Sequence, residues 1–141
     1  MEVDFAQIED LEDLRSVPEG EYPCRVAEVR ESRSPAGHVR WGLRWEVAQG
    51  EWQGRTACWD SIHWSERGLP RAKYVLRVLG FDVSGAVELE ARALEGREAL
   101  VTCTSEERED ATTGIRRLVH RVPFAGYQPW SANGHGGAGD G

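Results

Sequence analysis

The sequence has no apolar run approaching the roughly 18 residues that a membrane-spanning helix requires, and none is expected to cross a membrane. Its first residues, Met1-Glu2-Val3-Asp4, are acidic and no apolar segment follows them, so no signal peptide is expected. Cysteine is scarce. Cys24, Cys58 and Cys103 are odd in number, far apart, and form no Cys-x-x-Cys pair. That usage argues against a disulfide framework or a zinc site and fits buried, reduced thiols in a cytoplasmic protein. Lysine is nearly missing, with Lys73 the only one among 17 basic residues. The cationic groups are therefore guanidinium planes, which pair with phosphate and stack on bases. Catalytic signatures are missing too. There is no P-loop, no dinucleotide-type glycine motif between a strand and a helix, no His-Glu-x-x-His and no Gly-x-Ser-x-Gly. The histidines, His38, His63, His120 and His135, are scattered. No enzyme, cofactor or metal is expected.

What is present is a core. An apolar fraction of 40% and six tryptophans in 141 residues suit one folded domain. The net charge of −7 argues against nucleic acid until its distribution is considered. Residues 1–21 hold eight acids and only Arg15, whereas residues 22–81 hold ten bases and six acids. A nucleic-acid surface needs local positive potential, not a positive total.

Three regions follow. Residues 1–19 form an acidic arm with Phe5, Ile8, Leu11 and Leu14 at helix-like spacing, residues 20–130 a domain, and residues 131–141 a Gly-rich disordered tail. In the domain, Tyr22–Arg30 reads as a first strand whose phase breaks at Val29, the sign of a bulge. Val39, Trp41, Leu43, Trp45 and Val47 alternate with Arg40, Gly42, Arg44 and Glu46 in a second strand, so Trp41 and Trp45 belong to the core. Arg55–Ile62 is a third strand. Neither of its faces is plainly core: Arg55, Ala57, Trp59 and Ser61 share one, and Thr56, Cys58, Asp60 and Ile62 the other. Asp60 in that strand is a candidate structural hydrogen-bond acceptor. Ser65 can cap a helix that starts near Leu69 and ends at Gly80, with Ala72, Val75, Leu76 and Leu79 on one face. A short helix around Val87–Leu94, a strand over Glu98–Ser105, a turn, and a strand over Ile115–Phe124 complete the domain. Three strands, a helix and two strands is the order of a mainly β, five-stranded OB-like barrel with a helix between strands 3 and 4.

Arginines and tryptophans interleave over residues 25–77. Single-strand binders stack bases on exposed rings beside a basic groove that follows phosphates. The candidates for nucleic-acid contact are Arg25, Arg40, Arg44, Arg55, Trp59, Trp64, Arg71 and Lys73. Arg40 and Arg44 face away from the core on strand two, and the strand 2–3 face is where OB folds bind oligonucleotides. Trp52, in the hairpin loop, can stack or cover the end of the barrel.

An ordered set of segments resembles the phage- and prophage-encoded single-stranded-DNA-binding-like proteins. It runs from Glu19-Gly20-Glu21-Tyr22 through Arg40–Val47 and Gly50-Glu51-Trp52-Gln53-Gly54-Arg55 to Trp59-Asp60. Val78-Leu79-Gly80-Phe81, Leu94-Glu95-Gly96-Arg97 and Gly126-Tyr127-Gln128-Pro129 continue it. The resemblance implies an OB-like fold, coating of single-stranded DNA in phage replication or recombination within the bacterial cytoplasm, and self-association into a homo-oligomer. The alternative expectation is a protein-interaction module whose acidic arm recruits a replication or recombination protein.

Overall fold

The computed structural model describes residues 17–109 and 111–132. Most of the expected acidic arm and Gly-rich tail lies outside them. The strands are β1 (Gly20–Arg33), β2 (Val39–Val47), β3 (Thr56–Trp64), β4 (Glu98–Glu109), β5 (Arg116–Arg121) and β6 (Tyr127–Pro129). Helix α1 spans Leu69–Val78, and the second expected helix is only a 3-10 turn, Ala91–Leu94. The order of three strands, a helix and two strands is therefore present, followed by a sixth strand that was not expected. Three residues ending in proline are too short to show an alternating pattern.

The protein is mainly β. Its antiparallel sheet runs in the order β3-β2-β1-β4-β5, with β6 also paired to β4. Among the described residues no ladder joins β3 to β5, so the sheet is not closed into a barrel. β1 bends to serve two neighbours, pairing β4 over Gly20–Arg25 and β2 over Cys24–Arg33. Its register shifts between Val26 and Glu28, which is the bulge announced by the phase break at Val29. The backbone of Val26 bonds to Gly96 and Arg97 at the bulge, each at 2.8 Å.

A second shift lies between Trp45 and Glu46 of β2, where Cys58 faces Trp45 and Thr56 faces Glu46. Ala57 is the extra residue, and both Ala57 and Cys58 are buried. The bulge resolves the ambiguous third strand. Cys58, Asp60 and Ile62 face inward opposite Trp45, Leu43 and Trp41, and Trp59, Ser61 and His63 face outward.

The core holds Trp41, Leu43, Trp45 and Val47 as the alternation requires, together with Val26, Ile62, Val75, Leu94 and Val101. All three cysteines are buried and free. Helix α1 starts where Pro70 predicts, but its cap differs from expectation. Gly68 is the N-cap, and the Ser65 hydroxyl accepts the Gly68 N–H at 3.1 Å in the turn before it. A Cβ on Gly68 would lie 2.3 Å from the His63 carbonyl oxygen, so only glycine lets the helix start this close to β3. At the other end, Gly80 N–H bonds Arg77 and Phe81 N–H bonds Leu76, a Schellman closure with Gly80 at φ +95°. No helix of the described residues is long and apolar enough to cross a membrane.

Candidate nucleic-acid interface

The outward face of β1, β2 and β3 is set by register alone. Arg44 of β2 stands between Glu28 of β1 and Trp59 of β3. Gly42 stands between Arg30 and Ser61, and Arg40 between Ser32 and His63. Arg25 and Glu46 close the row. This face carries four arginines and a histidine against two carboxylates.

Trp59 lies near its centre and is 39% exposed. A Cβ placed on Gly42 would lie 3.7 Å from the Trp59 ring, so the ring packs against the glycine. The Arg30 guanidinium sits over that ring, 4.7 Å from its centroid. Glu28 bridges two arginines, Arg30 at 2.6 Å and Arg44 at 3.1 Å. Those hydrogen bonds, Arg30's first, hold the Glu28 carboxyl below its ordinary range. Arg44 also donates to Thr56 at 3.2 Å, which the β3 bulge brings to this face. Arg40 donates to Ser32 at 3.1 Å, and Arg25 pairs more loosely with Glu46 at 3.6 Å.

Trp59 also lines a groove of about 800 Å³ between β3, the start of α1, and the stretch from Val119 to Phe124. Its floor is apolar, formed by Cys58, Ile62, Ala72 and Val122. Arg67, Arg71, Arg121, His63 and His120 line it, with Asp60 as the only carboxylate among the described residues. Phe124 stands at its side and is 61% exposed.

Arg71 is not a free cation in this groove. It bonds Asp60 at 2.8 Å, with side chains only 18% and 13% exposed, and donates to the carbonyls of Ser61 and Pro123. Asp60 also accepts the Tyr127 hydroxyl, which in turn accepts the Trp45 indole N–H at 3.0 Å. Burial and then the Asp60 carboxylate push the Tyr127 phenol well above its ordinary value. Desolvation works against the Arg71 charge, but Asp60 outweighs it and the guanidinium is held more firmly protonated. Asp60 is thus the structural acceptor its strand position implied. The network ties β3, α1 and β6 together.

The eight sequence candidates therefore separate. Arg25, Arg40, Arg44 and Trp59 share the outer face. Arg55 is half-buried in the β2–β3 hairpin, 5.9 Å from the Trp52 centroid. Trp64 ends β3 half-buried, edge-on to Trp41 at 4.9 Å. Lys73 is exposed on α1, and Arg71 is bound in the network. Sequence reading missed Arg30, Glu28 and Gly42, although counting strand phase across the bulge would have placed all three beside Arg44. It also missed Arg67, in the turn just after β3, and His120 and Phe124, which only tertiary structure brings to β3. No protein-family model matches the chain, and no curated protein matches its sequence.

Proposed function

We propose that this chain is an open OB-type fold that binds single-stranded DNA, largely without regard to sequence and without catalysis. The strand order β3-β2-β1-β4-β5 is that of an OB barrel parted between β3 and β5, and α1 falls between the third and fourth strands. One observation carries the functional reading. An exposed Trp59 packs against Gly42 amid Arg25, Arg30, Arg40 and Arg44 on the β2–β3 face. A ring that a base can stack on, within a row of phosphate-pairing guanidiniums, is what sequence-tolerant single-strand binding requires.

The test is a titration of intrinsic tryptophan fluorescence with oligo-dT at low and then high salt. Quenching that salt reverses is expected. Trp59→Ala removes most of the quenching and weakens binding by about 1–3 kcal/mol, the contribution of one stacked base. No quenching and no mobility shift at low salt would refute the proposal. A second reading, recruitment of a protein, is favoured by the edges of β3 and β5, which have no further strand partner among the described residues and to which an extended peptide can add.

A further inference from the structure

We infer that the groove between β3 and β5 takes one unstacked nucleotide of a bound single strand, its base beside Phe124 and its phosphate at Arg67. This rests on the single-strand reading above and adds a site to it. The arginines of the outer face do not line the groove. Trp59 belongs to both, so a strand crossing the outer face meets the groove at this ring.

Five observations point to a nucleotide. A volume of about 800 Å³ lies within the range of small-ligand sites. Three arginines line the groove, and two of them are already paired, Arg71 with Asp60 and Arg121 with Glu106 at 2.9 Å, which leaves Arg67 as its unneutralised guanidinium among the described residues. Arg67 is exposed and bonds to nothing among the described residues, so it is available to an incoming phosphate. Phe124 is held by Tyr74, parallel within 8° at 6.4 Å, and by Arg71, 5.8 Å from its centroid, yet remains 61% exposed. An apolar ring fixed in place beside a basic groove is a stacking surface.

The fifth observation is His120. It lines the groove, and its Nε2 is buried without a hydrogen-bond partner among the described residues. Such an atom is costly unless something satisfies it. An imidazole nitrogen can donate or accept according to tautomer, and the edge of a base offers both kinds of partner. An added peptide strand would use the backbone edges of β3 and β5 and has no need of the aromatic side or of Arg67.

The test compares oligo-dT with an abasic oligomer of the same length, using full-length protein labelled for histidine NMR. Oligo-dT is expected to shift the His120 ring resonances, and the abasic oligomer to leave them in place. Phe124→Ala should weaken oligo-dT binding about tenfold while sparing the abasic oligomer. Arg67→Ala should weaken both. Both side chains are exposed, and circular dichroism checks that the variants fold. If oligo-dT binds and Trp59→Ala weakens it, but Phe124→Ala and Arg67→Ala do not, the groove assignment is overturned and the outer-face reading stands. If oligo-dT binds with His120 unmoved, the groove serves another occupant, such as a peptide strand, and the inference fails. If neither oligomer binds the unaltered protein, the single-strand reading itself fails.

Discussion

Replacing Asp60 with asparagine should destabilise the fold far more than its single strand position implies. The substitution keeps the shape of the side chain and removes its charge. Two donors lose an ionic acceptor: Arg71, at 2.8 Å, and the Tyr127 hydroxyl. Removing one member of a buried ion pair costs about 3–5 kcal/mol, because the remaining charge is left uncompensated. Arg71 keeps the carbonyls of Ser61 and Pro123, and its side chain is 18% exposed, so the lower end applies. A loss of about 3 kcal/mol corresponds to a fall in Tm of about 10 °C for a domain of this size. Tyr127→Phe leaves Asp60 and Arg71 paired but orphans the Trp45 N–H, at a cost of about 1–3 kcal/mol. Because the residues form one network, the double variant should lose less than the sum, with a coupling of at least about 1 kcal/mol. Urea unfolding followed by near-ultraviolet circular dichroism measures all three. A loss below about 1 kcal/mol for Asp60→Asn, or strict additivity with Tyr127→Phe, would refute the idea that these residues act as a unit.

Two further outcomes follow from the same geometry. Glu28→Gln releases Arg30 and Arg44 for phosphate. Oligo-dT should bind it more tightly, with a salt dependence steeper by about 0.7 for each additional phosphate neutralised. Fluorescence anisotropy across a salt series measures this, and an unchanged slope would mean that these arginines do not meet the backbone. Alkaline pH should weaken the fold through Cys24, whose thiol burial pushes up from 9.0 to about 12. The fold favours the neutral thiol, so its contribution is complete below about pH 9 and is lost as pH rises toward 12. Urea midpoints should fall across that window and fall less steeply in Cys24→Ala.

The second strand was legible because nothing interrupts its alternation. Trp41 and Trp45 went to the core and Arg40 and Arg44 to the outer face as the pattern requires. The third strand was not, since the bulge at Ala57 buries two consecutive residues and reverses the phase of Thr56. A period-2 reading has no means to detect that, and Trp59 acquires its side only from its pairing with Arg44. Asp60 announced itself as an acceptor, but its donors lie 11 and 67 residues away. Arg71 read as a free cation for the same reason. The groove was invisible because His120 and Phe124 reach β3 only through tertiary packing.

Arg30 raises a question of order in binding, since it covers the ring on which a base would stack. A cation over an exposed aromatic ring contributes about 0.5–1 kcal/mol. A stacked base contributes about 1–3 kcal/mol, so the base displaces the guanidinium and not the reverse. The displaced Arg30 then stands beside the strand, where it can pair with phosphate. Arg30→Ala therefore removes a competitor and a phosphate partner at once. At low salt these changes oppose each other and affinity alters little. At high salt, where phosphate pairing counts for less, the variant should bind oligo-dT as well as the unaltered protein or better. Its salt slope should be shallower by about 0.7. Fluorescence titrations at two salt concentrations separate the two effects. If Arg30→Ala abolished quenching at every salt concentration, Arg30 would be holding Trp59 in place, and the exchange of guanidinium for base would have to be abandoned.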